Sequence, residues 1–483
     1  MNLPTLSEVQ RTRSERHYRD FLRYALAVLD PEDKITWNWH IDYLCDVLQA
    51  EVERIVGKRT KQHDIVVNIQ PRSLKSKITT VCLNAWVWTK YPHLKFLTAS
   101  YSGDLAIEHA VDTRRLIQSD WYQAKWGNVF ALSSDQNVKS RFTNDKGGSR
   151  RATSVGGTLT GQGGNIIIVD DPVNPKQADS AQLNDVANTW YDRTLSTRLN
   201  DPAVDVRIII MQRLSERDMT AHMKSKGVPV HHINIPGEVT PYVSPGELRD
   251  KYTDGLMFPD RFSRSVLDGL KADLGSYGYA GQILQHPAPI DGGIWQKWIT
   301  PTDWWPPKLV NYGTDWDLAY TREERNSASA YVTAGWYDGK IWIDDLGWDW
   351  LEFPDLIRYM KERKGTHYIE AKASGKSAAQ TLRANGISAI EVAKSLDKIS
   401  ETRQVTPVAE SGRVMVRSHL WDKLHNDSRQ GILFFPNGAN DDLNDALVAA
   451  IKRLNGSAVD FSGLNSGAGR MFGSRASGRR LRA

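Results

Sequence analysis

The chain has 483 residues, with 62 Lys and Arg against 57 Asp and Glu, a formal net charge of +5. Hydrophobic residues make up 40% and charged residues 25%, which excludes a disordered chain, a collagen-like chain and a small disulfide scaffold. At about 150 residues per domain, the length predicts two to three domains with cores large enough to need no covalent staple. The charge excess is small for a protein that wraps nucleic acid passively, so any such contact belongs to a local groove. Cys45 and Cys82 do not make a disulfide framework and fit a reducing compartment. No run of 18 apolar residues and no apolar signal core is present, so the chain is expected in the cytoplasm with no membrane partner.

Residues 1–60 read as helical. Ile41, Leu44, Leu48, Val52 and Ile55 follow a helix period, with Thr36 as a cap at the start and Gly57 near the end. DIVVNIQ (64–70) then reads as a short buried strand, followed by a polar turn and a helix from Ser76 to Trp88. KFLTASY (95–101) is a second strand, with a helix to about Ile117. NIIIVDD (165–171) and VRIIIMQ (206–212) are a third and a fourth. Strands alternating with helices predict a mainly parallel sheet covered on both faces. A second segment follows HPAPIDGG (286–293). It holds a strand at 310–320, a hairpin over 327–350 turning at Asp338-Gly339, a strand at 366–371 and a helix over 440–454. The tail, 457–483, has five Gly, five Ser and five Arg with one acid, Asp460, and reads as disordered.

Two groups of residues carry chemistry. In IVVNIQPRSLKSK (65–77), a strand, a polar turn and Lys75-Ser76 opening a helix give the context of a phosphate-binding loop. Backbone N–H groups would hold the phosphates, Lys75 neutralise the outer ones and Ser76 bind Mg²⁺. The usual glycines are missing, with Ile69 and Leu74 in their places, so a basic surface turn is the competing reading. The strand ending in Asp170 and Asp171 supplies what such a loop needs, one acid to order Mg²⁺ and the next to activate water.

The second group is acidic. Asp315 and Asp317 lie two apart on one strand and share a face. Glu370 ends another strand. Asp441, Asp442 and Asp445 open the last helix, where i,i+3 and i,i+4 spacings share a face. Acids gathered in this way repel one another unless cations are present, and two Mg²⁺ or Mn²⁺ ions about 4 Å apart would clamp a phosphodiester. Asp338, Asp344 and Asp345 read as turn and surface residues. Neither zinc-ligand spacing nor a G-x-S-x-G elbow occurs.

The chain resembles the large terminase subunit of tailed bacteriophages over nearly its whole length. The resemblance is carried by WNWHIDYL (37–44), QPRSLKS (70–76), RRATSVGGTLTGQGGNIIIVDDP (150–172), IIIMQRLSERD (208–218), LGSYGYAGQILQHPAPIDGG (274–293), TDWDLAY (314–320), IEAKASGK (369–376) and NDDLNDAL (440–447). It implies an α/β chain with an N-terminal P-loop ATPase on a mainly parallel sheet, followed by an RNase H-like nuclease domain. The implied layout is an adenine-framing helical region at 1–60, an ATPase core at 61–290, a linker at 291–300, a nuclease at 301–456 and the tail. The family's phosphate loops are deviant, with an early Arg and a final Lys-Ser, which accounts for the absent glycines.

The implied ATP site holds Arg72, Ser73, Lys75 and Ser76, with Trp39 and His40 framing the nucleotide within the Trp37–His40 run. Asp170 orders the metal, Asp171 stands where many motors carry Glu, and Gln212-Arg213 is the motif that senses γ-phosphate. Arg150 or Arg151 is either an arginine finger or a solvated basic pair. For the nuclease metals the resemblance implies Asp317, Glu370 and Asp442, with Asp445 and Asp441 as rivals of Asp442 and Asp315 as an extra ligand. Asn440 replaces a His often found there, and Lys372 is placed to touch the scissile phosphate. The implied activity is ATP-driven movement of double-stranded DNA into a procapsid, with metal-dependent cutting of concatemers. The implied partners are the portal protein, a small terminase subunit and further copies of this chain in a ring. The implied place is the host cytoplasm and, transiently, the portal, not the mature virion. The rivals are an integrase- or transposase-like nuclease, a non-catalytic portal-binding protein and a helicase-like translocase. The tail carries +4 of the net charge of +5, leaving +1 on the other 456 residues.

Overall fold

The computed structural model describes residues 5–133, 138–159, 161–178, 180–287, 294–319, 327–371, 373–393, 397–436 and 440–457. Lys372 and nearly all of the tail fall outside them. The chain divides into two compact units, Met1–Pro289 and Ile290–Ala483.

The first unit opens with three helices, Leu6–Arg16, Tyr18–Leu29 and Trp39–Val56. The five apolar residues at helix spacing in the third are all buried. Its N-cap is Asn38, not Thr36. The Asn38 amide is turned to His40 and the Met257 carbonyl instead of capping the helix. Seven strands follow: β1 (Asp64–Ile69), β2 (Lys95–Ser100), β3 (Arg141–Thr143), β4 (Ser149–Ser154), β5 (Ile166–Asp170), β6 (Val206–Met211) and β7 (Val230–Ile235). They form one sheet in the order β3-β4-β2-β5-β6-β1-β7, parallel except for the β3–β4 pair. Alternate residues feed two cores. Ile65, Val67, Ile166, Ile168, Ile208 and Ile210 face one, and Val66, Ile167, Val169, Ile209 and Met211 face the other. A sheet covered on both faces explains why its central strands are nearly all apolar. The sequence did not show β3, β4 or β7, which lie toward the edges and carry Arg, Ser and His.

The second unit has β8 (Thr300–Thr302), β9 (Val310–Asp317), β10 (Ser329–Tyr337), β11 (Lys340–Asp349), β12 (Thr366–Glu370), β13 (Ala389–Val392) and β14 (Val414–Arg417). Their order is β13-β12-β9-β10-β11-β14-β8. β10 runs antiparallel to both neighbours, and the other pairs are parallel. The β10–β11 turn falls on Asp338 and Gly339, with φ of 48° and 74°, as a two-residue hairpin of this handedness requires. Helix Asp442–Ser457 packs across β9 and β10. The stretch read as a linker at 291–300 is described from residue 294 on. Trp295 and Ile299 are buried in the second unit's core, and the Trp295 indole N–H donates to Asn444 Oδ1 at 2.8 Å. Among the described residues no helix is long and apolar enough to cross a membrane.

Candidate functional site

In a parallel sheet, the loops leaving the C-terminal strand ends share one edge, and ligands of such folds bind there. Three loops of the first unit meet at this edge. The turn after β1 runs from Gln70 to Ser76. Arg72 and Leu74 take φ of 61° and 60°, the left-handed region where a side chain costs about 1–2 kcal/mol. Leu74 thus adopts backbone geometry that glycine takes freely, and it packs against the core beside it. Ser73 closes it from within, its Oγ donating to the Gln70 carbonyl at 2.9 Å. His40 reaches the loop from the third helix, with Nε2 3.2 Å from the Ser73 carbonyl. Burial lowers the His40 pKa from 6.5 to about 4, so the ring is neutral at physiological pH. Trp39 is not part of the loop. Its indole donates to the Met257 carbonyl at 3.1 Å, and Trp37 lies under the Arg23 guanidinium at 3.7 Å.

The second loop leaves β5. Lys75 Nζ stands 2.9 Å from Asp171 Oδ2. Asp171 also has positive φ, 46°, and its Oδ1 accepts the Gln212 N–H at 3.3 Å. Burial opposes the Lys75 charge, but Asp171 and Asp170 outweigh it and hold the ammonium protonated. Asp170 is buried, not solvated. Its Oδ2 accepts the Thr80 hydroxyl at 2.7 Å and lies 3.7 Å from His109 Nδ1, while Oδ1 is enclosed and has no hydrogen-bond partner among the described residues. Burial pushes the Asp170 pKa up, opposed by Lys75 and by the Thr80 and Ser76 hydroxyls. Burial likewise raises Asp171, with Lys75 opposing.

The third loop leaves β6. Gln212 is buried there, and Arg213 turns away to Asp218, Nε to Oδ2 2.7 Å. Asp218 is the N-cap of helix Met219–Ser225. The turn and the β5 end thus bring together Ser73, Lys75, Ser76, Asp170 and Asp171. Arg72 lies exposed on the same turn and Arg213 is engaged elsewhere. Arg150 is fully buried, which overturns its reading as half of a solvated pair. Thr80 and His109 belong to the site and lie in no motif, so only the folded chain reveals them.

An enclosed carboxylate oxygen without a partner, next to a hydroxyl and a lysine, fits a hard divalent cation of the kind that accompanies a nucleoside triphosphate.

The second unit places its acids on one face and at one edge. Arg453 grips Asp315, Nε to Oδ1 and Oδ2 at 3.2 and 3.0 Å and Nη2 to Oδ2 at 2.7 Å. Its guanidinium also covers the Tyr368 ring at 4.2 Å, and Tyr368 is the register partner of Asp315. Both residues therefore face helix Asp442–Ser457. Asp317 and Glu370, two positions further along their strands, share that face. Asp442 joins them from the helix start. Its Oδ2 accepts the Ala328 N–H at 3.0 Å and the Gln430 amide at 2.7 Å, and Ala330 is the register partner of Asp317. Burial raises the Asp442 pKa, opposed by the Gln430 and Ala328 hydrogen bonds.

Asp315, expected as an extra ligand, is a buried ion-pair partner. Asp441 and Asp445 both pair with Lys398, at 2.6 and 3.1 Å. Asp344, expected at the surface, accepts from Arg417 at 2.5 Å and from the Tyr312 hydroxyl at 2.7 Å. The donor type at this edge, carboxylate oxygen, suits Mg²⁺ or Mn²⁺. Among the described residues, however, no three of His, Cys, Asp and Glu stand at metal-holding spacing.

The fold is a two-unit α/β chain, each unit built on a mostly parallel sheet. No protein-family profile and no curated protein matches the chain. Solved structures are similar to it. A large terminase from a thermophilic bacteriophage is 12% identical, over 81% of this chain and 87% of that one, with a TM-score of 0.44. The HK97 bacteriophage large terminase is 11% identical, over 83% and 91%, with a TM-score of 0.35. The large terminase nuclease of thermophilic phage G20c, with bound magnesium, is 17% identical, over 34% of this chain and 99% of that one, with a TM-score of 0.26. At such identities and scores nothing about activity follows from the likeness.

Proposed function

We propose that this chain is the large subunit of a phage terminase. Its first unit hydrolyses ATP to move double-stranded DNA into a procapsid, and its second cuts the concatemer. The observation that carries the reading is the Lys75–Asp171 pair at 2.9 Å beside the buried Asp170. A triphosphate entering this edge competes for Lys75 and releases Asp171 to accept a proton from the attacking water. Lys75 then balances charge on the phosphates. Ser76 and Asp170 would hold Mg²⁺, which would supply charge neutralisation for the phosphates.

In the second unit, Asp317, Glu370 and Asp442 are the edge we assign to phosphodiester hydrolysis with Mg²⁺ or Mn²⁺. The motif resemblance supports the portal protein, a small terminase subunit and a ring of copies as partners. It also supports action in the host cytoplasm and transiently on the portal. DNA contacts would fall mainly on phosphates.

The test is a packaging reaction with the full chain, portal-bearing procapsids and linear double-stranded DNA, scored by protection from added nuclease. ATP-dependent protection is expected. ATP turnover without protection would reject the packaging role, and strand transfer between DNA duplexes would favour the integrase-like alternative.

A further inference from the structure

Directly behind the lysine turn, Lys77–Cys82 is a π-helix, a wide turn that is rare and concentrated at functional sites. Its carbonyls are held by side chains from three other elements. The Tyr18 hydroxyl donates to the Ile78 carbonyl, Thr113 Oγ1 to Val81 at 2.8 Å and Arg150 Nη1 to Thr80 at 2.6 Å. Arg150, on β4, is the unusual member. It is fully buried, and its Nε and Nη2 have no hydrogen-bond partner among the described residues. An enclosed guanidinium using one of its donors is costly, so its retention asks for a use. Thr80 supplies the connection. Its carbonyl takes Arg150, and its hydroxyl goes to Asp170 Oδ2 at 2.7 Å.

We propose that Arg150 is a positioning residue for Asp170. By holding the Thr80 carbonyl it fixes the π-helical register in which the Thr80 hydroxyl occupies one Asp170 oxygen and the other is left without a hydrogen bond among the described residues, available to Mg²⁺. The inference rests on the ATPase reading above. It differs from a finger role, because the guanidinium is enclosed in its own subunit and acts through Thr80 instead of touching phosphate. Burial lowers the Arg150 pKa to about 9, opposed by Cys82, Asp112 and Asp170, so the side chain still carries charge at neutral pH.

The experiment uses the full chain and reads ATP turnover against Mg²⁺ concentration, with hydrogen exchange of residues 77–82 as a readout independent of activity. In Arg150→Met the half-saturating Mg²⁺ rises about tenfold or more, the range seen when outer-sphere support of a metal ligand is removed. The KM for ATP at saturating Mg²⁺ stays within about threefold, because binding of the nucleotide is left in place, and exchange at 77–82 speeds up. Arg150→Lys, which keeps a charge and a donor, recovers part of both. Thr80→Val keeps the carbonyl and deletes the hydroxyl, so it shifts the Mg²⁺ requirement with little change in exchange, and it carries the test if Arg150→Met does not fold. An unshifted Mg²⁺ requirement in either Arg150→Met or Thr80→Val, with wild-type turnover intact, overturns this inference alone. A wild-type chain that turns over no ATP overturns the site reading and this inference with it.

Discussion

Arg453→Met removes the guanidinium from the Asp315–Arg453 pair and leaves a carboxylate inside the second unit. The side chains are 2% exposed for Asp315 and 13% for Arg453, so this pair falls outside the surface regime, where an ion pair contributes under about 1 kcal/mol. Breaking a buried pair by deleting one partner costs about 3–5 kcal/mol. For a unit of this size that lowers the melting temperature by roughly 6–20 °C.

The loss depends on pH, and its sign follows from the Asp315 pKa. Burial already raises that pKa and Arg453 opposes the rise, so removing Arg453 lets it climb further. A carboxylate whose folded pKa lies above its unfolded value, about 3.9, favours the fold below that value. The contribution is lost as pH rises through the folded pKa. The deficit of the variant is therefore largest near pH 8 and narrows toward pH 5. Chemical denaturation at both pH values measures it, and Asp315→Asn in the same background should restore part of the stability by removing the stranded charge. If Arg453→Met lies within about 0.5 kcal/mol of wild type at pH 8, the size of an ordinary surface change, then Asp315 is not a buried ion-pair partner and its reading as a metal ligand returns.

Two further outcomes follow from the sites. His40 is held neutral, with its pKa lowered from 6.5 to about 4, so the stability it allows is present above pH 6.5 and is lost as pH falls toward 4. The loss amounts to at most about 3 kcal/mol for a shift of this size, and His40→Gln should flatten the first unit's acid denaturation curve; an unchanged curve would mean that the ring titrates normally. Asp317→Ala should abolish Mn²⁺-dependent plasmid nicking with ATP turnover kept within about twofold, since it removes a carboxylate from the edge assigned to phosphodiester hydrolysis, and surviving nicking would remove Asp317 from the nuclease edge.

The central strands of both sheets could be read from the sequence as apolar or alternating runs closed by turns, whereas β8, β13 and β14, toward the edges of the second sheet, could not. The third helix could be traced from five apolar residues at its period. β4 could not, because its Arg-Arg-Ala-Thr run looks like a surface segment until Arg150 is seen buried against Thr80. The lysine turn was legible from Lys75-Ser76, although Leu74, one of the two residues standing where the pattern suggested glycine, takes a positive φ, as Arg72 does. Pairing was the illegible part. Spacing placed Asp315 and Asp317 on one face, as found, but which acid meets an arginine depends on Arg453, more than a hundred residues away in the chain. The same holds for Lys398, which engages Asp441 and Asp445 and leaves Asp442 to the Ala328 amide and Gln430.

The most direct test of the account is ATP turnover by Lys75→Ala, measured beside nicking by the same preparation. The variant loses the cation that meets Asp171 at 2.9 Å and would stabilise charge on the transferring phosphoryl group. Turnover should fall by about a thousandfold or more, the scale for removing a fixed charge aimed at the transition state, while Mn²⁺-dependent nicking stays within about twofold of wild type. Turnover within about threefold of wild type would contradict the assignment of this edge as the ATPase site.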